Sequence, residues 1–282
     1  MSTAEFCPLS KLEKLLVATD RSAFSEGAVR EAMQFAKKCS SRLFIMSVLE
    51  SNPEYETIGL SAYKKEEEEA TRYLETLKAH ASQEGLYNCE AALHYGEQPY
   101  QLIVNEAADK EVDMIIIGRH GRSGILKVLM GQVAAKVIGH APCKVLVVPK
   151  AATIAFKNIL IATDGSVHSM AAASEAVGIA KRHGSGIIAV SVMISEEEKE
   201  AAQANVNDVV DMARREKVPV EALTPVGRPS DSIVEIAGGR GVDLIVMGAY
   251  GKTGFKKYLM GSATEKVVGH AGCAVLVVRG KP

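Results

Sequence analysis

Residues 242–266 read VDLIVMGAYGKTGFKKYLMGSATEK, joining an apolar, strand-like run to a glycine-rich loop and then to a helix start. The loop contains four glycines, at Gly248, Gly251, Gly254 and Gly261. Glycines let backbone amides approach a phosphate closely, and a helix N-terminus supplies free N–H groups and a favourable dipole. The stretch therefore predicts a strand–loop–helix unit whose loop suits an anion, and Ser262 and Thr264 add hydroxyl donors at the helix start.

The same pattern occurs earlier in the chain, at residues 112–136, which read VDMIIIGRHGRSGILKVLMGQVAAK. Residues 112–148 align without a gap on residues 242–278, and 20 of the 37 positions are identical. The beginnings of the two halves also match, with KLLVATDRS at 14–22 and NILIATDGS at 158–166. A period this long is not that of a solenoid and indicates a duplicated domain.

We predict that the two domains comprise residues 1–150 and 151–282 and contain the same succession of elements. In each half, runs rich in Val, Ile and Leu alternate with segments that have helical spacing. Such continuous apolar strands between helices predict parallel sheets covered on both faces, so the fold class is α/β with two doubly wound domains. The first half has about 14 extra residues, within residues 50–69.

The composition is ordinary for a globular protein, with 47% hydrophobic and 24% charged residues. A net charge of −1 gives no global basic field that would attract nucleic acid. No apolar run approaches the ~18 residues of a membrane span, and the beginning of the chain lacks the basic-then-apolar order of a signal peptide. We therefore expect a cytoplasmic protein that binds neither nucleic acid nor membrane.

The cysteines are odd in number and form no C-x-x-C pair: Cys7, Cys39, Cys89, Cys143 and Cys273. This pattern argues against a disulfide framework or a zinc site and fits a reducing compartment. Cys143 and Cys273 each open an apolar, strand-like run, where a cysteine is most often a small buried hydrophobe.

A candidate binding site lies in the second half, because ligands of open α/β sheets bind beyond the carboxyl ends of the strands. Asp164 follows the first strand of that half, and the second glycine loop (residues 248–261) follows the fourth. A carboxylate there can accept hydrogen bonds from ribose hydroxyls, while the loop and Ser262 suit phosphates. Three lysines can offset phosphate charge: Lys252, Lys256 and Lys257.

Two common phosphate motifs are excluded. The GKT at 251–253 would need a P-loop glycine where Val246 stands, inside a strand, and the GGRG at 238–241 precedes a strand where a dinucleotide motif should follow one. Structural alternatives stay open for the candidate residues. Ser262 and Glu265 match a capping box, and Asp20 and Asp164 suit helix caps. We interpret the repeated histidines, His140 and His270, as structural.

These motifs resemble the universal stress protein family, whose nucleotide-binding members carry G-x2-G-x9-G-[ST] after the fourth strand. The pattern is intact here at Gly248, Gly251, Gly261 and Ser262. Asp164 in ATDGS and Val192 in AVSVM match family positions as well. The resemblance covers both halves of the chain, so it implies a tandem, two-domain member.

The resemblance implies five-stranded parallel sheets in the order 3-2-1-4-5 and a ligand that is ATP or another adenine nucleotide, with Mg²⁺ as an accompanying ion. Asp164 would hold the ribose, the Val192 backbone would meet the adenine edge, and the second glycine loop would wrap the phosphates. The implied nucleotide-binding residues are Ala162, Thr163, Asp164, Val192, Met247, Gly248, Tyr250, Gly251, Gly261, Ser262, Ala263 and Thr264.

The first half departs from this pattern. Gln132 replaces the Ser or Thr, Ala134 replaces the second hydroxyl, and Arg21 stands where the second half has Gly165. The loss of a hydroxyl that bonds a charged group costs about 1.5–3 kcal/mol, or about 10- to 150-fold in affinity. We expect a degenerate equivalent site at Asp20, Val48, Gly118, Gly121, Gly131 and Gln132.

The family resemblance also implies pairing through the last strands. KVLVV at 144–148 and AVLVV at 274–278 would pair within the chain as a pseudo-dimer, and two chains could associate as a homodimer. The function expected is a nucleotide-binding regulatory switch in a stress response. The alternatives are a slow ATPase or self-phosphorylating protein, and a scaffold that binds no nucleotide. An adenylating enzyme of the ATP-pyrophosphatase type is disfavoured, because TDGSVHS at 163–169 has too few glycines.

Overall fold

The computed structural model describes residues 7, 9, 12–50, 60–121, 130–252 and 260–280. The elements of the first domain are β1 (Lys14–Ala18), α1 (Glu26–Cys39), β2 (Arg42–Leu49), α2 (Leu60–Gln83), β3 (Cys89–Tyr95), α3 (Pro99–Asp109), β4 (Met114–Gly118), α4 (Gln132–His140) and β5 (Lys144–Val148). Those of the second are β6 (Asn158–Ala162), α5 (Val167–His183), β7 (Gly186–Val190), a short 3₁₀ helix (Glu196–Glu198), α6 (Lys199–Arg215), β8 (Val220–Leu223), α7 (Pro229–Gly239), β9 (Leu244–Gly248), α8 (Ser262–His270) and β10 (Ala274–Val278).

The strands form one ten-stranded sheet in the order β3-β2-β1-β4-β5-β10-β9-β6-β7-β8. Each half of this sheet has the predicted order 3-2-1-4-5, so the predicted fold class is confirmed. Strands within a domain are parallel, whereas β5 and β10 pair antiparallel with Leu146 opposite Leu276. The last strands of the two halves therefore form the seam between the domains.

The apolar runs of the sequence become strands because helices cover the sheet on both faces. In β1, Leu15 belongs to the core cluster on one face and Leu16 to the cluster on the other. Ile159 and Leu160 divide in the same way in β6. Each cluster contains residues of both domains, so the two faces of the sheet are continuous hydrophobic cores.

The segment between the domains packs onto the first of these cores. Ala152, Ile154 and Phe156 are buried, and the Phe156 ring stacks on His183 with centroids 4.5 Å apart. Lys144 of β5 forms an ion pair with Glu175 of α5 at 2.9 Å, which adds a polar contact between the domains.

The longer second helix of the first domain accounts for part of its extra residues. Residues 60–69 lie in α2, which has 24 residues where α6 has 17. Residues 51–59 of the extra segment lie outside the described residues. Within the described ranges, no helix combines the length and apolar character that crossing a bilayer requires.

The repeated histidines complete helix ends, as the sequence interpretation held. His140 Nδ1 lies 2.8 Å from Lys136 O in α4, and His270 Nδ1 lies 2.7 Å from Lys266 O in α8. In both helices, therefore, a histidine side chain forms a hydrogen bond with a backbone carbonyl near the C-terminal end.

The expectation that cysteines would be unpaired is wrong for two of them. Cys7 and Cys39 form a disulfide that joins the N-terminal segment to the end of α1. Spacing could not reveal this bond, because the two residues are 32 positions apart and the fold alone brings them together. Cys143 and Cys273 are free, and burial raises the pKa of their thiols to about 12 and about 11.

Reduction of this disulfide, or the substitution Cys7→Ser, is expected to lower the free energy of unfolding by about 3 to 4 kcal/mol, because the unfolded chain regains the freedom of the closed loop. Denaturant titration with and without reductant measures the loss. The Cys7→Ser variant serves as the control, since reductant should leave its stability unchanged. A reductant effect below about 1 kcal/mol on the unmodified chain would contradict the prediction.

Candidate functional site

The predicted site residues meet at the carboxyl edge of the second half of the sheet. Strands β6 and β9 are neighbours there, with Ala162 beside Met247. The chain leaves β6 through a turn at Asp164 and leaves β9 into the second glycine loop. The switch in strand order thus places the carboxylate and the loop side by side.

Asp164 is held by backbone amides from both segments. Its Oδ1 accepts from Ser166 N at 3.1 Å, and its Oδ2 accepts from Lys252 N at 2.8 Å. A Cβ on Gly251 would lie 2.7 Å from Oδ2, so glycine is required for the loop to approach the carboxylate this closely. The carboxylate therefore fixes the position of the described start of the loop.

The ionisation of Asp164 follows from these contacts. Burial alone raises the pKa of the carboxyl, but hydrogen bonds from Ser166 and from the Lys252 amide outweigh it and hold the pKa below its ordinary value. Asp164 is therefore an anion at neutral pH. The alternative that Asp164 caps α5 is wrong, because the N-cap is Ser166, whose Oγ accepts from Ser169 N at 3.2 Å.

The end of the loop starts helix α8. Gly261 N donates to Ala249 O at 2.9 Å, which closes the loop on itself. The helix begins at Ser262, with Gly261 at the N-cap and no side-chain cap bond, so the capping-box alternative is wrong. Ser262 is exposed at this N-terminus and Ala263 is half-buried. The site thus includes a helix start with free N–H groups.

Thr264 has a contact that the sequence did not indicate. Its side chain is buried, and its Oγ1 donates to Gly248 O at 2.9 Å. The hydroxyl hydrogen thus ties the first turn of α8 to the end of β9. Gly254, Lys256 and Lys257, which also belong to the predicted loop, lie outside the described residues.

The side chain of Tyr250 leaves the loop and enters the interface between the domains. Its hydroxyl donates to Gly139 O of the first domain at 3.0 Å. Arg279 Nη2 donates to the Tyr250 hydroxyl at 2.9 Å and also to Gly139 O. The Tyr250 side chain is buried, and its hydroxyl bonds groups of the domain interface.

Val192 lies beyond the last residue of β7, beside the point where β6 has ended. The amides of Ser191 and Met193 donate to Leu223 O and Pro225 O, on the β8 side. Val190 O accepts from Thr163 N on the β6 side. Val192 faces the β6 side too, and neither its N–H nor its C=O has a partner among the described residues.

Three further predicted residues are buried in the scaffold of the site: Ala162, Thr163 and Met247. Thr163 Oγ1 accepts from Gly165 N at 3.2 Å, which shapes the turn around Asp164. These residues therefore belong to the packed ends of β6 and β9 that support the site.

The equivalent region of the first domain keeps the contact that closes the described ends of the loop. Gly131 N donates to Arg119 O at 2.9 Å, which closes the first glycine loop (residues 118–131) as Gly261 closes the second. A Cβ on Gly118 would lie 2.8 Å from Phe24 O, and one on Gly121 would lie 3.3 Å from Asp20 Oδ2. The close backbone approach therefore requires glycine at position 118, whereas the crowding at Gly121 is milder.

The polar groups of the first domain differ. Gln132 begins α4 and Ala134 is buried, so the contact of Thr264 with Gly248 O has no counterpart at Gly118. Asp20 Oδ1 accepts from both Ser22 N and Ser22 Oγ, at 3.1 and 2.7 Å. Val48 is half-buried in β2, opposite His94 of β3.

Sequence reasoning noted Arg21 as a departure but not its contacts, and it missed Asn205. Arg21 takes a left-handed conformation, with φ +67, and its guanidinium forms an ion pair with Glu66 of α2 at 2.9 Å. Asn205 of α6 reaches the turn after β6. The replacement of Gly165 by arginine in the first half was a visible signal, whereas an asparagine within a polar helix gave none. Among the residues described, no three His, Cys, Asp or Glu side chains cluster to hold a metal.

The universal stress protein family model matches residues 11–149 and 155–279, which together are most of the chain. The chain belongs to the universal stress protein family. It contains two domains of that family in tandem, as the repeat predicted.

Individual relatives agree with this membership. A universal stress protein of Methanocaldococcus jannaschii is 38% identical over an alignment of 140 residues that covers 44% of this chain and 82% of the relative. One of Thermus aquaticus is 35% identical over an alignment of 136 residues that covers 44% of this chain and 99% of the relative. A universal stress protein structure from Archaeoglobus fulgidus covers 95% of this chain and 96% of its own, with a TM-score of 0.76 at 20% identity, and therefore shows the shared fold.

Proposed function

We propose that the second domain binds ATP or another adenine nucleotide and that the protein is a regulatory switch of a stress response. The observation that carries the proposal is the pair of backbone groups on Val192 that have no partner among the described residues, at the same edge of the sheet as an ionised carboxylate and a helix start. Backbone groups that are removed from water normally find a partner in the protein, in an ordered water molecule or in a ligand. A ligand with a donor and an acceptor side by side would satisfy both.

Adenine has this pattern, because its exocyclic amine donates and its neighbouring ring nitrogen accepts. The Val192 C=O can accept from the amine while the Val192 N–H donates to the ring nitrogen. Val192 is also half-buried against the core cluster on this face of the sheet, which gives the base an apolar surface. The base would therefore lie beyond the end of β6, at the switch point.

The sugar and phosphates follow from the position of the base. Each oxygen of Asp164 accepts one backbone amide and retains capacity to accept a ribose hydroxyl. The N–H groups at the start of α8 and the exposed Ser262 hydroxyl suit phosphate oxygens. Lys252, exposed at the start of the loop, adds a positive charge. Mg²⁺ would accompany the phosphates.

The regulatory role is supported by the contacts of Tyr250. This residue belongs to the second glycine loop, but its hydroxyl is bonded to Gly139 of the first domain and to Arg279. A change in the loop on binding would therefore act directly on the contact between domains. We place the domain boundary at residues 150 and 151 and describe the domains as a pseudo-dimer joined at β5 and β10. A homodimer and a cytoplasmic location complete the proposal, although the Cys7–Cys39 disulfide is a feature more common in oxidising compartments.

The proposal is tested by calorimetric titration of nucleotide-free protein with ATP and magnesium. We expect one equivalent per chain, and we expect the variant with Ser262→Ala and Gly261→Val to lose it. The matched control carries Gln132→Ala and Gly131→Val in the first domain and should bind as the unmodified chain does.

Three other results would contradict parts of the proposal. Two equivalents would show that Gln132 replaces the hydroxyl adequately and that both domains bind. Loss of binding only in the first-domain variant would show that the site lies in the first domain and not in the second. No binding by folded, empty protein would overturn the nucleotide proposal and favour a scaffold.

A further inference from the structure

The mouth of the second-domain site is spanned by Asn205 of α6, which belongs to no motif. Its Nδ2 donates to the hydroxyl oxygen of Ser191 at 3.2 Å, and its Oδ1 accepts from Lys252 Nζ at 3.5 Å. Ser191 is buried and directly precedes Val192, while Lys252 directly follows Gly251. Asn205 therefore connects the end that would hold the base with the loop that would hold the phosphates.

Glycine at position 165 is what admits this carboxamide. A Cβ there would lie 2.3 Å from Asn205 Oδ1 and 3.2 Å from Lys252 Nζ. Gly165 also has φ +73, a conformation that L side chains rarely adopt. The carboxamide thus rests directly on the turn that presents Asp164, and a ligand that touches both Asp164 and Val192 must pass it.

The first domain has different residues at both positions. Arg21 occupies the position of Gly165. Tyr73 occupies the position of Asn205. The ends of α2 and α6 establish this equivalence, because Ala81 O and Ala213 O each accept a hydrogen bond from the amide five residues later. Tyr73 and Asn205 each lie eight residues before these alanines. The Arg21 side chain is only 7% exposed and is paired with Glu66. The Tyr73 hydroxyl lies 3.4 Å from Thr19 Oγ1.

We propose that Asn205 contacts the sugar–phosphate part of the nucleotide bound in the second domain, and that the pair at positions 165 and 205 decides which domain accepts it. The inference rests on the proposed function. In the second domain, Lys252 has a neutral carboxamide oxygen as its partner, and a phosphate is a stronger partner for an ammonium group. A phosphate of the ligand pairs with the Lys252 ammonium group in place of Asn205 Oδ1. The Asn205 carboxamide is then free to form a hydrogen bond with the ligand.

The charge of the first domain is arranged in the opposite way. The Arg21 side chain is buried and forms an ion pair with Glu66, so its positive charge is already compensated within the fold. A phosphate would have to displace that carboxylate. The first domain therefore has an internal ion pair at the position where the second has Gly165 beside the Asn205 carboxamide, while Arg122, the counterpart of Lys252, lies outside the described residues.

Two single variants test the contact by calorimetry with ATP and with adenosine. Asn205→Ala is expected to weaken ATP binding about 5- to 10-fold, the effect of one lost hydrogen bond. Asn205→Asp keeps the shape but places a carboxylate beside Lys252, so ATP binding falls about 10-fold or more while adenosine binding stays within about twofold. A residue that only supported the fold would change both ligands equally.

A graft tests the selection between domains. The double variant Gly165→Arg, Asn205→Tyr places the first-domain pair in the second domain and is expected to abolish ATP binding, with its thermal unfolding recorded to confirm that it folds. This inference would be overturned if Asn205→Ala, Asn205→Asp and the graft all bound ATP with the affinity of the unmodified chain. In that case the unmodified chain still binds ATP, and the Ser262→Ala, Gly261→Val variant still does not, so the proposed function stands. Failure of the unmodified chain to bind overturns both.

Discussion

Substituting valine for Gly251 is expected to weaken ATP binding about 10- to 150-fold, the loss that corresponds to about 1.5–3 kcal/mol for a hydrogen-bonded charged group. The new Cβ would lie 2.7 Å from Asp164 Oδ2, where the amide of Lys252 now donates. The carboxylate or the loop must move, and either movement separates the group proposed for the ribose from those proposed for the phosphates. Calorimetric titration with ATP measures the effect.

The first domain supplies the matched control for this variant. A Cβ on Gly121 would lie 3.3 Å from Asp20 Oδ2, a milder crowding of the equivalent carboxylate. Gly121→Val should therefore leave ATP affinity unchanged within about twofold. Thermal unfolding of both variants separates a lost site from a lost fold. Equal loss of ATP affinity in the two variants would contradict the assignment of the site to the second domain.

The variant Leu276→Ala is expected to lower the free energy of unfolding by about 2–5 kcal/mol, because it leaves a cavity at the seam between the domains. Leu276 lies in β10, opposite Leu146 of β5, and each is only 1% exposed. Both belong to the same core cluster, which runs through the two domains. Denaturant titration measures the loss.

Leu146→Ala is the matched variant on the other side of the seam and should be destabilised to a similar degree. Because the two leucines face each other in neighbouring strands, the double variant should depart from additivity by about 0.5–3 kcal/mol. Losses below about 1 kcal/mol in both single variants, or strict additivity, would show that the seam is not packed as the strand register indicates.

The fold was largely predictable because its signals are local and occur twice. Strands such as β4 and β9 are runs of Val, Ile, Leu and Met that can only be buried, and the repeat showed that both halves share one plan. The strand order came from the family resemblance and matches the sheet. The seam at β5 and β10 was likewise an implication of the family, and it depends on pairing between residues far apart in the chain, such as Leu146 and Leu276, which are 130 positions apart.

The candidate site was predictable only in part. Asp164 and the second glycine loop stand beside strand ends, so their convergence follows from strand order. The side-chain roles did not follow. Tyr250 points into the other domain and Thr264 bonds a backbone carbonyl, because each meets groups that are distant in sequence. Ser262 is the first residue of a helix capped by Gly261, a difference of one residue that the S-x-x-E pattern could not decide.

The sequence by itself determined the α/β class, the duplication, the position of Asp164 and the loss of hydroxyls at Gln132 and Ala134. These features are matters of residue type and spacing along the chain, which composition and periodicity report directly. Only the tertiary structure decided the Cys7–Cys39 disulfide, the reach of Asn205 over Gly165 and the ion pair of Arg21 with Glu66. Each of these contacts joins separate elements, and their distances are set by how the helices pack on the sheet.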